Sequence, residues 1–166
     1  MSSSDSNEST TTTKYSCSLV LERYEKGKLL WPQAKVHGKF ISGQFDLNKG
    51  TIVVYQAYKR SIGDWVTKHQ TFKGCPEFLP NRMTWIKPNF LWMMYRSKWG
   101  TSKNQNSVLA ITIPLKTFET ILVNAVASKN YFQDTVTKME YRKQLDESSV
   151  RLQWDPHHAP NGNKTQ

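Results

Sequence analysis

The residues best suited to chemistry cluster between Arg82 and Trp99, in the aromatic and basic run RMTWIKPNFLWMMYRSKW. If the chain is helical after Pro88, steps of four and three residues put Trp92, Arg96 and Trp99 on one side. A guanidinium beside indole rings can grip a phosphate bidentately while the rings stack on a base. Arg82 and Lys87, just ahead of the helix, are placed to meet an anion near its positive end. Arg82, Lys87 and Arg96 are therefore expected to hold phosphate, and Trp85, Trp92, Tyr95 and Trp99 to supply the aromatic surface. Phe90, Leu91, Met93 and Met94 are expected to be core. An Arg within so apolar a helix needs an anionic or carbonyl partner, which a ligand or a structural ion pair to Asp155 or Glu77 would equally provide.

A second set of residues suggests enzymatic chemistry. Gln56 interrupts the apolar VVYQAY, and Gln153 with Asp155 closes VRLQWDP, so hydrogen-bonding groups fall near strand ends where sites are built. Satisfying buried backbone groups is the plainer use of such glutamines. In the enzymatic reading the protein is an NAD-dependent ADP-ribosyltransferase-like enzyme. Tyr55, Gln56 and Tyr58 would line a dinucleotide cleft, and Gln153 or Asp155 would orient the reacting ribose. The catalytic set would be Gln56, Tyr58, Gln153 and Asp155, with NAD the cofactor; under the phosphate-binding reading no cofactor is named. No Gly-rich phosphate loop, HExxH, CxxC pair or GxSxG occurs. His157 and His158 adjoin near the C-terminus, His37 and His69 stand alone, and the two cysteines, Cys17 and Cys75, lack zinc spacing, so no metal site is expected.

These residues need a scaffold. Asn48, Lys49 and Gly50 form a turn signal between Gln44 to Leu47 and Thr51 to Tyr58, which predicts a hairpin. Ile62, Trp65, Val66 and His69 recur at helical spacing despite Gly63. Pro88 suits the first turn of a helix running from Asn89 to Ser97, with Gly100 as its stop. Val108 to Ile113 reads as a strand, and Leu115, Phe118, Ile121, Leu122 and Ala125 make one helical stripe. A polar stretch runs from Asn130 to Ser149, and Val150 to Trp154 reads as a last strand. The pattern predicts a single compact α+β domain with a central, mostly antiparallel sheet flanked by helices. Residues 16–156 would form it. The Ser/Thr-rich 1–15 and the polar 157–166 would be disordered tails.

Charge and composition bound the partners. Twenty-three Lys and Arg against thirteen Asp and Glu give +10 at pH 7, which favours a nucleic acid or nucleotide partner. From Phe78 to Phe118 there is no acidic residue, where the chain's own frequency would place about three. No apolar run suffices to span a bilayer and the N-terminus lacks a secretory pattern, so no membrane association is expected and the cytoplasm or nucleus is the expected location.

The strings VYQAY at 54–58, RMTWIKPNFLWMMYRSKWG at 82–100, VLAI at 108–111 and VRLQWDP at 150–156 resemble the domain-of-unknown-function family DUF4291. The resemblance implies a shared fold and a shared site that includes Arg82, Trp85, Lys87, Trp92, Tyr95 and Arg96. It also implies a further strand and amphipathic helix after QWDP, in place of which this chain carries HHAPNGNKTQ. A noncatalytic interaction protein follows as a third expectation, with a protein partner at an exposed sheet edge.

Overall fold

The structure, a computed structural model, describes Leu19, residues 21–27, Leu29, residues 40–129, residues 137–156, Asn161 and Asn163. The expected tails fall outside the described residues except for Asn161 and Asn163, as do Cys17, His37, His157 and His158.

The expected hairpin forms, with β1 (Gln44–Asp46) antiparallel to β2 (Thr51–Tyr58). Its turn is made by Asp46, whose Oδ1 accepts from the N–H groups of Asn48 and Lys49, both at 3.1 Å. Gly50 then takes φ 60, the left-handed conformation a glycine adopts without steric cost. On the other side of β2, β3 (Ser107–Pro114) pairs antiparallel along its full length, from Thr51↔Pro114 to Tyr58↔Ser107. The sheet order is β1-β2-β3, so β2 is central.

One face of β2 holds the core. Ile52 and Val54 are buried there, and their register partners Ile113 and Ile111 pack with them. Helix α3 (Leu115–Val123) begins as β3 ends and lays Leu115 and Phe118 on the same cluster. Each of these buried side chains contributes about 1.5–3 kcal/mol. Helix α1 (Arg60–His69) follows β2 directly, and Gly63 lets it sit tight against β3. A Cβ at position 63 would lie 1.9 Å from the Ser107 hydroxyl oxygen.

Helix α2 (Phe90–Arg96) is two turns long. Its cap is Asn89, whose Oδ1 accepts from the Trp92 N–H at 2.9 Å while its amide donates to Ser42. The expected helix is thus shortened at both ends, with Pro88 ahead of the cap.

A second sheet pairs β4 (Ala125–Ala127) with β5 (Val150–Leu152) in parallel. The helical stripe extended to Ala125 is corrected, because α3 ends at Val123 and Ala125 opens a strand. The last strand stops at Leu152, leaving Gln153 and Trp154 beyond it. The polar stretch contains α4 (Lys138–Glu147), started by a capping box in which Thr137 and Glu140 satisfy each other's backbone N–H groups. No α4 residue is buried, so no apolar stripe announced it. The architecture is α+β. No helix among the described residues is long and apolar enough to cross a membrane.

Candidate aromatic and basic site

The site is built on the edge that β1 leaves open. β1 pairs only with residues 51–53 of β2, and Lys87 takes the next place. The Tyr55 N–H donates to the Lys87 carbonyl at 2.7 Å, and the Lys87 N–H to the Tyr55 carbonyl at 3.1 Å. Thr84, three residues earlier, lies near enough to the Tyr58 phenol to favour its ionisation. Through the single Tyr55–Lys87 bridge the segment that begins the aromatic block extends the sheet edge at Lys87. Its alternation sends Trp85 and Lys87 to one face, with Tyr55.

On that face α2 supplies the other partners. Phe90 packs edge-on against Tyr55 at 5.2 Å. The Lys87 ammonium lies 4.5 Å above the Trp92 ring, and Trp92 meets Trp85 edge to face at 5.6 Å. Arg96 places its guanidinium 4.7 Å over the Trp85 ring. The two cations therefore rest on two touching indoles, each held by cation–π attraction.

Their charges are treated differently. Lys87 is ion-paired to Asp155 and also approaches the Gln153 carbonyl oxygen at 3.3 Å; both charged side chains are only 15% exposed. The Gln153 amide donates to the other Asp155 oxygen. Neither carboxylate considered for Arg96 reaches it, since Lys87 takes Asp155 and Lys59 takes Glu77. Lys59, with Ser61, holds the Glu77 carboxyl below its usual range. Among the described residues Arg96 has no ion pair and is exposed, its aromatic support coming from Trp85.

Two further expectations change. Trp99 does not join Trp92 and Arg96 on one helix face, because α2 ends at Arg96 and Trp99 lies in the following turn, edge-on to Tyr95 at 5.8 Å. The helix N-terminus is already engaged by Asn89, and Lys87 is neutralised, so the two do not combine as an anion site. Arg82 instead stands near the Tyr58 phenol, close enough for its charge to favour ionisation there.

The enzymatic set is divided. Gln153 and Asp155 line a cleft of ≈ 190 Å³ together with Lys87 and Trp92, its apolar wall including Phe118 and Leu122. Tyr55, Gln56 and Tyr58 are not among its lining residues. Gln56 is buried and accepts from the Tyr58 hydroxyl at 3.1 Å. Tyr58 packs against Phe72 and Phe78, and burial raises its ionisation above the usual range, more than Thr84 and Arg82 lower it. Burial likewise raises Tyr55. Among the described residues no group of three or more His, Cys, Asp or Glu side chains could hold a metal ion.

Sequence reading gave Thr84, Asn89 and Lys98 no role in the site. Asn89 was findable as a capping residue immediately before an apolar run. The left-handed residues Lys98, Trp99 and Gly100, at φ 50, 53 and 74, carry only the glycine as a signal.

No curated protein and no solved structure matches the chain. The family model described as "Domain of unknown function (DUF4291)" matches residues 41–166, which contain the whole aromatic and basic block, its sheet extension and every lining residue of the Gln153–Asp155 cleft except Phe40, and the chain accordingly belongs to the DUF4291 family.

Proposed function

We propose that the protein binds a phosphate-bearing ligand, RNA, DNA or a nucleotide, on the exposed face formed by Trp85 and Arg96, with Arg82, beside the Tyr58 phenol, a further cation of the same block. The observation that carries this reading is the Arg96–Trp85 pair. Arg96 is an exposed guanidinium with no carboxylate among the described residues, lying on a tryptophan that is itself 44% exposed. A salt-bridged arginine would have its donors consumed. Arg96 keeps its hydrogen-bonding edges for a phosphate, and the outer face of a guanidinium laid over an indole is itself a plane on which a base can stack. Asp155 and Lys87, by contrast, cancel each other and are left to the framework.

Intrinsic tryptophan fluorescence titrated with oligonucleotides and mononucleotides tests the reading, because Trp85 would be quenched by a stacked base. Arg96→Ala is expected to weaken binding about tenfold, the equivalent of one charge-assisted contact. Equal affinity in the wild type and the variant would overturn the assignment of Arg96.

A further inference from the structure

Trp99 is placed as few folded residues are. Lys98, Trp99 and Gly100 occupy the left-handed region in succession, at φ 50, 53 and 74. A glycine visits that region freely, whereas a bulky aromatic there is a steric outlier. The turn is nevertheless strongly determined. The Trp99 N–H donates to the Met94 carbonyl at 2.7 Å and the Ser102 N–H to the Ser97 carbonyl at 3.0 Å. The fully buried Ser97 accepts from the Gly100 N–H at 3.2 Å and donates to the Met94 carbonyl at 3.1 Å. Thr101 closes the turn by donating to the Lys98 carbonyl. Each of these bonds is made by backbone or by Ser97 and Thr101, so the turn does not depend on an indole.

Nor does the indole gain much by burial. Trp99 is 55% exposed and its ring contact is the edge-on meeting with Tyr95. A large apolar side chain held in a strained backbone and turned more than half to water gains less from packing than a core residue does, and such backbone outliers gather at ligand-contacting positions. Lys98, exposed and without an ion pair among the described residues, adds a cation beside it.

We infer that Trp99 is a second stacking surface, separate from Trp85, and that the partner is therefore single-stranded nucleic acid long enough to occupy both, in preference to a mononucleotide. The inference rests on the phosphate-ligand reading above and specifies its partner. The Trp85–Arg96 pair takes one base and its phosphate. Trp99 takes another base, with Lys98 meeting the backbone. Trp85 and Trp99 lie on either side of α2 in the chain, and each touches it, Trp85 through Arg96 and Trp99 through Tyr95. Unpaired bases can splay to reach two indoles, while a duplex keeps its bases stacked on one another.

The test uses the full chain and its Trp99→Gly variant, with labelled single-stranded RNA and DNA of about eight nucleotides, the same sequences as duplexes, and the mononucleotides as competitors. The wild type is expected to bind the single strands at least about tenfold more tightly than a mononucleotide. In Trp99→Gly that advantage is expected to shrink by about tenfold while mononucleotide binding is unchanged and Tm is unchanged or higher. A lower Tm with oligonucleotide affinity preserved would assign Trp99 to the framework and overturn the inference alone. Mononucleotides binding as tightly as the strands, or duplexes binding more tightly, would do the same and leave the phosphate-ligand reading intact. Binding of neither nucleotides nor strands would remove both.

Discussion

Lys87 and Arg96 each rest on an indole, yet one is balanced and the other is not. The difference lies in what approaches from a distant part of the chain. Asp155 comes from beyond β5, and the bridge between Lys87 and Tyr55 puts Lys87, not Arg96, within its reach. An ion pair so little exposed is destabilising when halved, because the survivor is left desolvated without a partner. Asp155→Ala is expected to cost roughly 3 kcal/mol, and Lys87→Met combined with it less than the sum of the two single losses. Urea unfolding of the singles and the double measures this, and additive losses would show that the pair is not coupled. Composition made Lys87, Arg96 and Asp155 conspicuous. It could not say which cation meets the carboxylate, since that follows from a strand register and not from spacing along the chain. The Gln56–Tyr58 contact was similarly hidden. Gln56 was visible as a polar insertion in an apolar strand, but whether such a group faces a ligand or a neighbouring side chain is decided by its surroundings, here Tyr58, itself packed on Phe72 and Phe78.

Among the elements, β2 and its neighbours were the most legible. Asn48, Lys49 and Gly50 specify a turn through local backbone chemistry, and β-branched residues fill the strand after it. Elements whose stability comes from elsewhere were less so. β4 and β5 are three residues each, paired in parallel, and neither has a pattern long enough to reveal its period. Helix α1 was readable although Gly63 argued against it, and the structure supplies the reason for the glycine. Alanine would ordinarily be favoured mid-helix by about 1 kcal/mol, but here its Cβ would lie 1.9 Å from the Ser107 oxygen and 2.5 Å from the Ser107 Cβ. Gly63→Ala is expected to destabilise by about 2 kcal/mol through overpacking. Adding Ser107→Gly should restore most of the loss, since the next Ser107 atom, its Cα, is 4.0 Å away. Thermal unfolding of the two variants separates steric crowding from helix propensity, because propensity alone would make Gly63→Ala more stable.

For the molecule as a whole, charge is the property that sequence states most directly and structure most usefully divides. The acid-free stretch from Phe78 to Phe118 runs through the sheet extension, α2 and β3, so its six cations have no carboxylate within the stretch to quench them. Asp155 reaches in from outside the stretch and removes Lys87 from the count. Of the five that remain, Arg82, Arg96 and Lys98 lie in the aromatic and basic block, and three phosphate contacts on a single strand predict log K falling against log salt with a slope of about −2. Arg96→Ala should lower that slope by about 0.7, whereas neutralising Lys87 should leave it unchanged. Affinity that ignores salt would dissociate the positive charge from binding altogether. Family membership was legible because long strings such as RMTWIKPNFLWMMYRSKWG are specific. The ligand was not, because exposure, pairing and backbone strain distinguish working residues from structural ones, and none of these is a property of composition.

The central position of β2 also bears on the order in which the molecule assembles. Its partners arrive from three distances along the chain: β1 from across a tight turn, Lys87 from a few tens of residues later, and β3 from farther still. Closing a loop costs more entropy the longer it is, and hairpins form within about 1–10 μs. The hairpin is the least costly of these pairings to nucleate, whereas the extension that carries Trp85 must wait for a larger loop to close. The surface with which this protein is proposed to meet its partner is thus made of contacts remote in sequence, and a nascent chain has the scaffold strand before it has anything to bind with.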